Sequence, residues 1–498
     1  MFVIVTASAD TYITNKIVDS ELVVSSNVGR AGTLDIFKLY DESTVITGAI
    51  ELSRALLTFD YGRLRTLSSS SLNLNNFSAK LKVTSVNVGQ PAPSNFTLSL
   101  FPLRSPFDEG LGRDVVSFSD VDNANFISSS DTAAWYASGA NSGSGLAAQN
   151  VDYFTSGNFG SSLGLHSFEK TQLFTLGNED LSIDVTEFVS ASLVGLLSGS
   201  SFRLSFTGSQ EDDTTSRFVK RFASRHVKNA FIRPRIEVFF DDSKIDDRGF
   251  ASFNVSGNLY ISNTVRGSRS NLVSGSSLTQ ITGSNSLLLR LTTGSYSAYF
   301  TGSQDSSLQF ITGIYYSPFI IASNNSTVVS GSITLANHIT TSGSITFEEI
   351  WTSLDEKVVY RSGSLEMNKV DAVGQINPEA SLTVKTSGPA SAPANIIVLV
   401  RPKFFDLMID ENASKFAIAR SPTSIIGNYR IVDVYSGQIY IDFNDTGTKL
   451  SLDSDGNFFE FYSDSIPFGR PVKIEYRVNY AGGQKILSDN GYTFMLAI

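Results

Sequence analysis

Ile50-Glu-Leu-Ser-Arg-Ala-Leu-Leu-Thr-Phe-Asp-Tyr-Gly62 is the stretch on which the reading of the fold turns. Leu57, Phe59 and Tyr61 interleave with the polar residues Ser53, Arg54, Thr58 and Asp60, the pattern of a half-buried antiparallel strand. We read it as the central strand of an N-terminal β-sandwich. On this register Arg54 faces outward, so Arg54→Asp should be better tolerated than Leu57→Asp or Phe59→Asp, which would bury an unpaired charge. Ala9-Asp-Thr-Tyr-Ile13 is then a short first strand and Gly32 to Tyr40 a second, with Asn27-Val-Gly29 as the turn between them.

Outward from that strand, the rest of the chain reads the same way. Its 498 residues exceed what one core can organise and point to three domains. Charged residues are only 17%, 36 Phe and 18 Tyr are present, and no long run of helix formers has 3.6-residue spacing, so the expected class is all-β. A net charge of −10 with one short basic segment argues against nucleic acid as a partner. The absence of cysteine removes disulfides, thiolate metal sites and cysteine nucleophiles together. Met1 to Thr6 lacks a basic n-region and is too short for a signal peptide, and no apolar run reaches a membrane span.

The first expected domain, 1–242, adds strands over Phe77–Thr84, Phe96–Leu103, Phe202–Phe206 and Phe231–Phe240, and a helix over Val185–Leu197. A long loop-rich insertion from Ser105 to Gly177, rich in glycine and serine, is expected to be an assembly element ordered by neighbouring subunits, since it holds few contiguous apolar residues. The charged turn Asp241 to Gly249 opens a second sandwich or barrel, 243–388, of short strands punctuated by Gly-Ser pairs. Thr386-Ser-Gly-Pro-Ala-Ser-Ala-Pro393 reads as a linker to a C-terminal sandwich, 389–498. Proteolysis is expected first at these two junctions.

Chemistry is sparse. The three histidines, His166, His226 and His338, lie in separate segments with no zinc spacing, and Ser142-Gly-Ser-Gly145 lacks the strand-to-helix context of a nucleophile elbow. Asp108, Glu109 and Asp114 surround two glycines, with Asp120 and Asp122 following. These hard oxygen donors make calcium the candidate ion, against the alternative of a solvated acidic loop. Glu211-Asp-Asp213 reads as an exposed turn. The basic segment Arg217 to Lys228 sets Arg217, Lys220, Arg221 and Arg225 among Phe218 and Phe222. It suits either a charged protein interface or a snorkelling surface loop.

Ala9 to Ile13, Asn27-Val-Gly29, Leu34 to Tyr40 and Leu52-Ser-Arg-Ala-Leu-Leu-Thr-Phe-Asp60 resemble the opening of the DNRLRE-type domain, a jelly-roll-like β-sandwich also classed among carbohydrate-binding modules. Gln90 to Leu98, Phe107 to Asp114 and Lys220-Arg-Phe-Ala-Ser-Arg-His226 are closer to the versions in virion structural proteins of marine tailed phages, as are Asn428 to Gly437 and Leu452 to Phe459. The resemblance implies linked sandwich or jelly-roll domains. It further implies a non-enzymatic component of a neck, tail, baseplate or capsid surface, assembled in the host cytoplasm with other virion proteins and copies of itself; the charge balance and the lack of a long apolar run add the expectation of no nucleic-acid or membrane partner. The alternative it carries is a carbohydrate-binding or receptor-facing role, in which Trp135 and Tyr136 with nearby Asp131 meet host surface glycans.

Overall fold

The computed structural model describes the chain except for residues 45, 69–76, 87–88, 90–91, 117–119, 159–165, 267, 276–277, 307–309, 370–380, 409–417, 421–425, 481–482 and 498. About 50% of it is strand and 8% helix, distributed over several separate sheets, so the fold is all-β and sandwich-like. The chain divides into two compact units: Val3–Arg65 with Ser78–Val238, and Phe239–Ile498 with Met1–Phe2 and Thr66–Phe77.

In the first of these, the Ile50–Phe59 strand lies between the strands Phe2–Thr14 and Ser201–Phe206 in the main sheet. Thr11 stands opposite Leu56 and Phe202 opposite Leu57. The opening residues of the same strand instead pair with Thr33–Tyr40, Lys38 opposite Leu52, and that strand carries Arg217–Ala223 on its other side. One strand thus serves two ladders, and it is covered on both faces. Ser53, Arg54, Ala55, Leu56, Leu57 and Phe59 are all buried, so the outward face expected for Arg54 does not exist. The apolar positions behave as their spacing predicts, with Phe59 packed on Phe202 and Phe202 on Phe188 of the helix Thr186–Leu193.

The long insertion packs within its own unit. Tyr153–Gly157 and Lys170–Phe174 both pair with Phe96–Leu103. Phe107, Ala124, Trp135 and Ala140 close a small core against Ile13, Leu56 and Leu103. Backbone bonds such as Trp135 N–H to the Ile127 carbonyl and Asp152 N–H to that of Ser142 tie the excursion together. Isolated apolar residues spaced along a polar loop are enough to seat it, which a search for contiguous apolar runs does not detect.

The other unit contains an antiparallel sheet in the order 257–262, 310–319, 296–306, 287–293, 344–352, 359–368. Its core centres on the fully buried Trp351, whose indole N–H donates to Glu349 at 2.7 Å. Glu349 is itself fully buried and neutralised by both ends of the Arg248 guanidinium at 2.8 and 2.9 Å. Two further sheets form the C-terminal part, where Tyr429 stacks on Phe459 at 3.9 Å and Tyr476 meets Phe459 and Phe404 edge-on.

Both stretches read as linkers are held in structure. Thr386 and Ser387 end the strand Ser381–Ser387, opposite Pro402 and Arg401, and Ser391–Ala392 pair with Met495 and Leu496. The proline positions fall between short pairings, so Gly and Pro there shape a path across two sheet edges. The Asp241–Gly249 turn is stitched as well: Asp246 N–H donates to the Leu452 carbonyl, Leu452 N–H to that of Lys244, and Lys449 binds Asp241 at 2.5 Å.

Candidate functional site

Four separated stretches meet in the first unit. Asp10 comes from the first strand, Asn27 and Gly29 from the turn after it, Glu109 to Gly112 from the start of the long insertion, and Arg225 and His226 from the end of the Arg217–Ala223 strand and beyond. Asn27 is the brace. Its amide donates to the carbonyls of Glu109 and Ala124, both at 2.9 Å, and its oxygen accepts from the N–H groups of Gly29 and Gly112. The backbones come so close that a Cβ on Gly29 would lie 1.8 Å from the Glu109 carbonyl oxygen, and one on Gly112 1.8 Å from that of Asn27. Glycine is required at both positions by this approach.

The brace aims Glu109 into a charge cluster. Its Oε1 accepts from Asp10 N–H at 2.9 Å and from Arg225 Nε at 2.5 Å; Oε2 accepts from Arg225 Nη2 at 2.5 Å; His226 Nε2 lies 3.3 Å from Oε1. Arg225 N–H donates to Asp10 Oδ2 at 2.6 Å. Burial pushes the Asp10 carboxyl up to about 7, with Glu109 adding to the rise and the Arg225 N–H opposing it. Burial also works to raise Glu109, but the bonds from Arg225 and Asp10 outweigh it and hold Glu109 below its usual value. Among the described residues, Asp10, Glu109 and His226 are the one group of three potential metal ligands, with one atom of each within 4.8 Å of the others.

The calcium trio is not assembled. Glu109 is committed to Arg225, whereas Asp108 and Asp114 are exposed, and Asp114 accepts the N–H of Val116 at 2.8 Å. No grouping of the three carboxylates forms among the described residues. The sequence spacing placed them around glycines, but Gly110 and Gly112 serve the approach to Asn27.

The cations of the basic segment singled out as an interface are largely taken up by partners within the unit, while Lys228 is exposed. Arg217 pairs with Asp213 at 2.6 Å, Arg221 with Asp35 at 3.0 Å, and Arg225 with Glu109. Lys220 is buried and donates to Ser85 Oγ and to the carbonyls of Gly177 and Glu179; burial pushes its amine down to about 8. The alternation of a strand sends Lys220 and Phe222 inward together, and the cation stacks over Phe222 and Phe174. Glu211, read as part of an exposed turn, is also buried. It accepts from Arg54 Nε at 2.8 Å and Nη2 at 2.7 Å, with Arg203 Nη2 3.7 Å away. Arg54 also donates to the Gly139 carbonyl, which ties the long insertion to the central strand.

The three residues offered for glycan contact separate. Trp135 is in the core, its Nε1 donating to the Asn125 carbonyl at 2.8 Å, so its ring is unavailable to a ligand. Tyr136 is 56% exposed and Asp131 is exposed in a turn. A cleft of about 580 Å³ lies elsewhere in the unit, lined by Ala92 to Asn95 and Thr215 to Phe218. Phe218 there is exposed beside the polar side chains of Asn95 and Thr215. Nothing in the residue pattern brought these two segments together, because Asn95 and Phe218 are more than a hundred residues apart; among the bonds joining their surroundings, Thr97 N–H donates to the Gln210 side chain at 2.9 Å.

No protein-family model matches the chain, and no curated protein matches it. Among solved structures, the full extracellular region of plexin A4 is similar at 9% identity and a TM-score of 0.11, over 42% of this chain and 26% of that one. The likeness spans about a quarter of that protein's length, and at that score it carries no argument about fold or activity.

Proposed function

We propose that the chain is a non-enzymatic structural protein of a tailed-phage virion, working through contacts with other virion proteins and with copies of itself. The observation that carries this reading is where its family-like stretches lead: Asp10, Asn27–Gly29, Glu109–Gly112 and Arg225–His226 converge on a braced, largely filled ionic cluster. Residues with this role hold a sandwich and its insertion in one shape, which is what a repeated building block needs. Mass spectrometry of density-purified particles, with immunogold labelling by antibody against this chain, tests the assignment. The protein should follow the particles through the gradient, and its confinement to the soluble lysate would overturn the reading.

A second reading, contact with a host surface glycan, is favoured by the cleft beside Phe218, where an exposed ring and amide and hydroxyl groups face one space. Glycan-array binding that is lost in Phe218→Ala and kept in Tyr136→Ala would support it; binding unchanged in Phe218→Ala would remove it.

A further inference from the structure

Asp10 has one carboxylate oxygen held and one not. Oδ2 accepts the Arg225 N–H, whereas Oδ1 is fully buried and accepts no hydrogen bond. A buried polar atom without a partner is costly and uncommon enough to need a reason. The residue is 1% exposed and belongs to the group in which one atom each of Asp10, Glu109 and His226 lie within 4.8 Å. Glu109 Oε1 and His226 Nε2 are 3.3 Å apart. Neighbouring ligands in a tetrahedral shell with bonds of about 2.0–2.2 Å stand about 3.3–3.6 Å apart, so this pair already has the spacing of two ligands of one ion.

We propose that Asp10, Glu109 and His226 form a three-ligand site for a divalent transition-metal cation. Two carboxylates and an imidazole suit zinc, cobalt or manganese; calcium, which takes an all-oxygen shell, is the wrong ion for this set. The Asn27 brace fixes Glu109 from behind, and His226, about a quarter exposed, gives the route from solvent. Arg225 is the opposing group. On binding, its Nε–H gives up Oε1 to the cation while Nη2 keeps Oε2. Its positive charge weakens the site, so removing it should tighten binding.

The test is isothermal titration of the full chain, freed of metal by chelator, with zinc chloride, and a parallel cobalt titration read by visible absorption. One zinc per chain is expected. Asp10→Asn and His226→Gln should each weaken it tenfold or more, Arg225→Gln should tighten it, and His166→Gln should leave it unchanged. If His226→Gln fails to fold, the near-isosteric Asp10→Asn decides. Absence of one-to-one binding by the folded wild-type chain, or an affinity indifferent to Asp10→Asn, would overturn the proposal.

Discussion

Two arginine–glutamate pairs in the same unit differ in a way that orders its energetics. Arg54 and Glu211 are both buried, joined at 2.8 and 2.7 Å, with the guanidinium further anchored on the Gly139 carbonyl and Arg203 close behind. Arg225 and Glu109 are joined at 2.5 Å, but Arg225 is one-third exposed and the pair sits over Asp10, whose Oδ1 has no partner. The first is a closed knot with two cations on one carboxylate; the second is open at one side and leaves an acid underneath it. A closed buried pair is destructive to break, because removing one member strands the other without water. An open pair near solvent is weaker, and its neighbours have latitude to titrate or bind.

The largest expected effect comes from breaking the closed knot. Glu211→Ala would leave Arg54 and Arg203 facing each other, at a cost of about 3–5 kcal/mol in chemical denaturation; a loss under 1 kcal/mol would show that the knot contributes little. Arg54→Asp should be as damaging as Leu57→Asp, since both positions are buried. Next comes the acid beneath the open pair. Its folded pKa of about 7 lies above the unfolded value, so the folded state holds the proton more tightly. Stability from this group is present below about pH 4 and is lost as pH rises through 7. In metal-free buffer Asp10→Asn should therefore raise stability at pH 8 by about 1–3 kcal/mol and change little at pH 4, read from urea midpoints; an equal gain at both pH values would refute the assignment. Smaller again is Glu109→Gln, expected to cost about 1–2 kcal/mol because Arg225 can turn to water; thermal unfolding that matches the loss in Glu211→Ala would erase the distinction between the two pairs. Tyr136→Ala, exposed and remote from both, should shift stability by no more than about 0.5 kcal/mol.

These pairs also mark where residue patterns stop speaking. Alternation located the Ile50–Phe59 strand, because apolar periodicity is a local property of the chain; its neighbours in the sheet, Phe2–Thr14 and Ser201–Phe206, are set by pairing across long separations. It could not say that a second layer covers the polar side. Arg54 looks like an outward residue until Glu211, 157 positions away, arrives to neutralise it. The same holds for Lys220, whose partners are three oxygens supplied by other segments. Trp135 among glycines and serines reads as stranded, yet one ring and one N–H donor suffice to seat it on Asn125 and the small core. Asp10 was visible as part of a motif and Glu109 as a carboxylate in a loop, but their meeting depends on backbone approach at Gly29 and Gly112, a distance no spacing along the chain encodes.

The stitching of Lys244–Asp246 onto Leu452 has a consequence in time. Lys244 and Ser451 are 207 positions apart. At the usual pace of synthesis, about 5–20 residues per second, roughly 10–40 s pass between the emergence of one edge and that of its partner. For that interval the 244–246 backbone has its native donors and acceptors facing solvent beside freshly made strands, an opening for mispairing with a neighbouring nascent chain. The charges at this edge, Asp241, Asp242, Lys244, Asp246 and Asp247, are of the kind that discourages edge-to-edge pairing, and in the finished unit Asp241 is paired by Lys449 and Asp246 by Arg248.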